Sequence, residues 1–173
     1  MVQEQTKNLA KSALMIALIF AATYSIKLPN PATGGYSHMG DCMVFLGVLI
    51  LGKKQGALAG GLGAALSDLL SGAALWVVPT FVIKYLMAWI MGAIAEHDAL
   101  GNWKVSVGAV SGGIFQCIAY TLVKIPLVGS VPAIASIPGI LMQTLIGLVI
   151  FTAISRLLGN TAVLKGGQRY EEV

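Results

Sequence analysis

Six long apolar runs separated by short polar breaks make up nearly the whole chain, and this pattern decides what it can fold into. The runs fall at about 9–26, 41–51, 55–70, 77–95, 105–125 and 132–158. A helix crossing the hydrocarbon core needs about 20 residues, so 173 residues allow six spans with short loops and no second domain. Only 10% of the residues are charged and 57% are apolar. An average soluble domain carries roughly 25% charged residues. So few charges cannot cover so much apolar surface in water, which excludes a soluble enzyme, a disordered chain and a disulfide scaffold. The expected fold is an all-α integral membrane protein of six transmembrane helices, a single domain over residues 1–173. The run at 41–51 is short for a crossing; it is tilted, begins inside the preceding loop, or thins the bilayer. The first run is too long for the apolar core of a signal peptide.

The net charge of +4 reports topology here. With both termini inside, the cytoplasmic segments hold Lys7, Lys11, Lys53, Lys54, Lys104, Arg156, Lys165 and Arg169, eight of eleven basic residues. That bias favours an N-in, C-in arrangement. Lys27 and Lys124 then lie near the outside, and Lys84 lies within a span. The two cysteines, Cys42 and Cys117, sit in apolar segments and read as small core residues.

Two helices carry small residues at four-residue spacing. Ala13, Ala17 and Ala21 make a stripe on the first. Gly56, Gly60 and Ala64 make one on the third. Such stripes let another helix approach closely. The third helix is expected to pack within the subunit, whereas the first stripe serves either internal packing or a partner protein.

Ionisable residues within spans are costly and point to function. Asp68 lies near the outer end of the third run and Lys84 roughly 10 Å into the fourth, at 1.5 Å per residue. They form either a structural Asp68–Lys84 pair or a site in which Lys84 faces a ligand. Gln116, Tyr120 and Lys124 are four apart and share one helix face. Gln143 on the sixth run reaches a comparable depth, Thr80 lies on the fourth, and Trp76 stands at its outer entrance. These polar residues occupy the outer half of the spans, while the inner halves are aliphatic or small. A cavity open to the outside explains that asymmetry, because a pore would be polar along its full length. The outer loop at about 27–40 holds Tyr36, Ser37, His38 and Asp41 in GGYSHMGD, and its glycines allow it to fold down as a lid. His38 and Asp41 are too few for a metal site, and Asp41 reads more simply as a first-turn acid. GKKQG lacks the spacing of a phosphate-binding loop, so active uptake would need an ATPase from other subunits.

The Ala13/Ala17/Ala21 stripe, the block GGYSHMGDCMVFLGVLILGKKQGALAGGLGAALSDLL at 34–70, and PTFVIKYLMAWIMG at 79–92 resemble a substrate-binding S component of an energy-coupling factor (ECF) vitamin transporter. They resemble the branch that includes transporters assigned to hydroxymethylpyrimidine, the thiamine precursor, and to pyridoxine. The resemblance implies a six-helix subunit, not an enzyme and without a cofactor, that binds its vitamin from outside in a pocket formed by helices 4 to 6 and the outer loops. It implies docking through Ala13 and Ala17, with Ala21 extending the stripe, on a transmembrane T component with two ATPase subunits. In such a pocket Tyr120 or Trp76 would stack on the ring, Gln116, Gln143 and Thr80 would hydrogen-bond it, and Lys84 would meet an acceptor or neutralise Asp68. His38 and Tyr36 would close the lid. The alternative is a self-sufficient small-solute transporter or channel acting without an ATPase.

Overall fold

The computed structural model describes residues 2–25, 27–30, 35–95 and 103–159. Helix α1 is Val2–Ser25. Strands β1, Lys27–Asn30, and β2, Gly35–His38, follow it. Then come α2, Gly40–Leu70, a 3-10 turn at Ala74–Trp76, α3, Val77–Ile94, and α4, Trp103–Val128. The short α5, Ser130–Ala135, leads into α6, Ile137–Gly159. Among the described residues, five helical segments are long and apolar enough to cross a membrane.

The longest of them, α2, is folded double. Gly52 adopts φ 79 and ψ 171 in its middle, a left-handed φ that glycine tolerates without a Cβ clash. The arms on either side, 40–51 and 53–70, run back antiparallel. A Cβ at Gly56 would lie 2.5 Å from Val48 Cα, and one at Gly60 would lie 2.8 Å from Val44 Cγ1. The small residues of the third run therefore pack within the subunit, and the second and third expected runs are two arms of one element, so that among the described residues five candidate spans stand where six were expected. The first arm is buried from Gly40 to Val48 except for half-buried Met43. It is the axis of the bundle, with Val44, Phe45, Leu46 and Val48 in the core beside Ile19, Met87 and Phe151.

The other helices are set around it by close backbone approaches. On α4, a Cβ at Gly108 would lie 2.8 Å from the Met91 carbonyl oxygen, and one at Gly112 would lie 2.6 Å from that of Met87. The two helices are therefore antiparallel and in near contact. On α6, a Cβ at Gly147 would lie 2.8 Å from Asp41 Cβ, and Phe151 stacks at a tilt on Phe45 with centroids 5.5 Å apart. Residues four apart on α6 thus meet residues four apart on the first arm, so those two run parallel.

The expected boundaries are corrected in three places. Helix α1 begins at Val2, below the apolar run, because an amphipathic polar segment continues the helix with Lys7 and Lys11 exposed. The sixth run is broken at Ser136, whose N–H turns back to the Pro132 and Ala133 carbonyls, so α5 forms a separate turn at the outer end. The outer loop is a short antiparallel ribbon, Lys27 opposite His38 and Asn30 opposite Gly35, where open loop was expected. Pairing satisfies the backbone groups that the two strands turn toward each other.

The contacts also gather one end of the bundle. Ser12 Oγ donates to Gln55 Oε1 at 3.3 Å, and a Cβ at Gly92 would lie 2.8 Å from Lys53 Cβ. The N-terminal part of α1, the Gly52 turn, the end of α3, the start of α4 and the end of α6 therefore share this end. With them go Lys7, Lys11, Lys53, Lys54, Lys104 and Arg156, as the inside assignment requires. Lys165 and Arg169 lie outside the described residues. In a Cys42→Ala/Cys117→Ala background, a membrane-impermeant maleimide added to intact cells should label Leu75→Cys and leave Lys54→Cys unlabelled until the cells are opened. The reverse pattern would invert the orientation.

Candidate functional site

Four elements deliver polar side chains to one level of the bundle. Counting outward from the Gly52 turn, Asp41 stands about 16 Å up at 1.5 Å per residue. Gly92 packs on Lys53, so Lys84, eight residues further out on α3, stands about 12 Å up. Gly108 packs on Met91, which brings Gln116 of α4 to the same height. Thr144 of α6 sits against α4, where a Cβ at Gly113 would lie 2.5 Å from its methyl group. Asp68 stands about 24 Å up the longer second arm.

That difference in height decides the ion pair. Lys84 Nζ binds Asp41 Oδ1, with both side chains fully buried; its expected partner Asp68 is too far out. The second run is too short to span, so its first-turn acid lies beneath the outer surface instead of capping the helix there. Asp68 is itself nearly buried, and its carbonyl accepts from the Ala73 N–H at 2.9 Å.

The pair is sheathed in amides. Lys84 Nζ also donates to Gln116 Oε1 at 2.6 Å. Gln116 Nε2 donates to Asp41 Oδ2 at 2.6 Å and to Thr144 Oγ1 at 2.7 Å. Gln143 Nε2 donates to the same Asp41 Oδ2 at 3.1 Å. Asp41 thus accepts from three side chains on three helices. Bringing two charges out of water costs several kcal/mol per ion, which their attraction offsets only when the remaining lone pairs and protons are also satisfied; here the glutamines and Thr144 do that.

The outer loop is tied to the same group. The His38 backbone N–H donates to Gln143 Oε1 at 3.2 Å, and His38 Nδ1 accepts from the Gly40 N–H at 3.3 Å. Tyr36 pairs with Pro29 along the ribbon; its side chain lies outside the described part. Tyr120 presents its ring 5.7 Å from Lys84 Nζ and donates through its hydroxyl to Thr80 Oγ1 at 3.3 Å. Trp76 stands apart at the outer mouth, with Lys124 Nζ 5.9 Å from its ring centre.

Lys84, Gln116, Tyr120, Thr80, Gln143 and His38 are therefore brought together, while Asp68 and Trp76 are not part of the knot. Asp41 and Thr144 are its members that sequence reasoning missed. Asp41 was legible only through the shortness of its helix. Thr144 offered no signal beyond its position next to Gln143. A hollow of about 270 Å³ opens elsewhere, on the outside of the bundle between α2 and α3, lined by Leu62, Leu66, Leu69, Val78 and Phe81. It has none of the polar groups, and its leucines lie on the exposed surface.

Because the knot is mutually satisfied, its parts are unequal to lose. Lys84→Met alone strands a buried carboxylate and should destabilise the purified protein by about 3–5 kcal/mol. Asp41→Leu/Lys84→Met removes both charges and should recover most of that loss in thermal unfolding. Equal melting of the single and double variants would show that the pair is not coupled.

The architecture has relatives. A family model described as "ECF-type riboflavin transporter, S component" matches residues 3–160. A protein of Pyrococcus woesei, described as "Uncharacterized protein in gap 3'region", is 31% identical over 132 residues, 76% of this chain and 88% of its own length. The thiamine precursor transporter HmpT of Lactococcus lactis is 26% identical over 161 residues, 92% of each chain. A solved structure reported under "Structure and mechanism of the S component of a bacterial ECF transporter" superposes with a TM-score of 0.75 at 18% identity, covering 90% of this chain and 97% of that one. A bundle that keeps its polar groups in one half and matches this family along nearly its whole length is a transport subunit and not an enzyme: the chain belongs to the S components of ECF transporters, multi-pass proteins of the cell membrane.

Proposed function

We propose that this S component binds a small hydroxymethyl-bearing N-heterocycle, hydroxymethylpyrimidine or pyridoxine, from the outer side of the membrane. The observation that carries the reading is the convergence of the Gln116 and Gln143 amides on one buried carboxylate. An amide can exchange a protein partner for a ring nitrogen or a hydroxyl at little net cost, because each hydrogen bond lost is replaced by one of the same kind. Cargo entering beneath the ribbon would take donors from Gln116 and Gln143 while Lys84 stays paired with Asp41. Tyr120, its hydroxyl anchored on Thr80, offers a ring face for stacking. His38 sits where the ribbon meets Gln143, so cargo that engages Gln143 also acts on the lid. The likeness to HmpT along 92% of both chains supports a thiamine precursor as cargo. The name of the matching family favours a second reading, riboflavin.

Uptake would be driven by partners. The faces of α1 differ: Met15, Ile19 and Thr23 are buried, while Ala13, Ala17 and Ala21 are exposed. A flat exposed stripe of small residues suits a second helix, and we assign it to the T component of a module with two ATPase subunits.

Titration of the purified protein with hydroxymethylpyrimidine, pyridoxine and riboflavin should give tight binding of one of the first two. Gln116→Ala and Gln143→Ala should each weaken it at least tenfold. Riboflavin binding alone would replace the small-cargo reading, and unchanged affinity in both variants would remove the site from the knot. Ala17→Trp should abolish ATP-dependent uptake by the assembled transporter while leaving cargo affinity intact; undiminished uptake would clear α1 of the docking role.

A further inference from the structure

The acidic residues of the chain avoid its outer side. There are seven. Five of them, Glu4, Glu96, Asp98, Glu171 and Glu172, fall in the stretches that begin the chain, join α3 to α4 and end it, which the orientation above places inside. The other two, Asp41 and Asp68, are buried. The outer stretches 27–39, 71–76 and 124–136 carry Lys27 and Lys124 and no acid. Lysines there run against the inside bias of basic residues, so the place of Lys124 needs a reason.

Lys124 stands at the top of a seam that leads down to the knot. The antiparallel helices α3 and α4 meet along it in rungs four residues apart. Lys84 Nζ donates to Gln116 Oε1 at 2.6 Å, the Tyr120 hydroxyl donates to Thr80 Oγ1 at 3.3 Å, and Lys124 Nζ lies 5.9 Å from the centre of the Trp76 ring. Eight residues separate Gln116 from Lys124, so the last rung is about 12 Å above the first. Lys124 is half-buried, and among the described residues no carboxylate pairs with it. The Trp76 ring face attracts the ammonium group but has no net charge with which to cancel it. Asp68 reaches a similar height on another flank of α3, the one where Gly61 of α2 meets Phe81, whereas Gly112 of α4 meets Met87.

Below Lys124 the charges cancel. Lys84 is paired with Asp41. Both oxygens of that carboxylate are taken, Oδ1 by Lys84 and Oδ2 by the Gln116 and Gln143 amides. His38 Nδ1 accepts from the Gly40 N–H, so that nitrogen carries no proton. The seam and the knot together therefore hold one net positive charge, that of Lys124.

We propose that Lys124, seated on Trp76 at the outer mouth, is a specificity-determining residue that turns away cationic heterocycles and admits neutral ones. A cation would lose its water beside a like charge, where the low dielectric strengthens the repulsion, and would find the one carboxylate below already saturated. A neutral alcohol meets neither penalty. The assignment rests on the cargo reading given above and narrows its chemical class.

The test is calorimetric titration of the full-length protein at pH 7 with two probes of matched shape: hydroxymethylpyrimidine, and its analogue with a protonated aminomethyl group in place of the hydroxymethyl. The wild type should bind the alcohol at least about tenfold more tightly than the ammonium analogue. Lys124→Gln should leave the affinity for the alcohol unchanged and narrow the ratio to roughly threefold or less, by removing the repulsion. Lys124→Arg, which keeps the charge, should keep the wild-type ratio. A wild type that binds both probes equally, or a ratio unchanged in Lys124→Gln, overturns the assignment. So does a lower melting temperature of Lys124→Gln with the ratio intact, the mark of a lysine that only braces Trp76. An equal loss of both probes in that variant also overturns it, because Lys124 would then touch the cargo instead of screening it. A wild type that binds neither probe overturns the cargo reading and this inference with it, whereas tight binding of the alcohol with an indifferent Lys124→Gln overturns the inference alone.

Discussion

A carboxylate and an ammonium group joined beneath the outer surface organise this bundle. Asp41 and Lys84 come from different helices, and each needs the other in order to stay charged away from water. The helices that carry them, and those that carry Gln116, Gln143 and Thr144, are therefore held at one height. Deleting any one of these side chains would leave a neighbour with an unsatisfied donor or acceptor, and such a network is costly when only partly complete.

The close approach that this knot requires comes from glycine. Gly112 lets α4 lie against the α3 backbone at Met87, Gly113 admits Thr144, and Gly147 admits Asp41. In lipid, where burial of apolar surface does not draw helices together, such contacts and the hydrogen bonds across them supply the association. The glycine-rich composition and the buried charges thus belong to one design: the small residues bring the backbones near enough for short polar side chains to reach.

Much of the architecture could be read from the chain. The apolar runs located the helices, GKKQG located the fold-back, and the Lys and Arg count matched the end at which the basic residues gather. The four-residue spacing of Gln116 and Tyr120 on α4, with Gln143 at equal depth, marked the polar region. What failed was the pairing of Lys84. Choosing between Asp41 and Asp68 needs the heights of two arms of unequal length, and height follows from where each arm starts on the shared turn. The ribbon and the break before α6 were hidden for a different reason: proline and glycine announce irregular backbone without saying how its polar groups will be satisfied.

The burial of the first arm of α2 has a further consequence. Helices that touch lipid must match the thickness of the hydrocarbon layer, and mismatch is relieved by tilting or by deforming the bilayer. This arm is screened from lipid over almost its whole length, so no such matching applies to it. It is free to stop early, and its first turn, with Asp41 fully buried in it, lies beneath the outer surface where the ribbon leads in. The depth at which Asp41 sits is set simply by this arm being shorter than its neighbours.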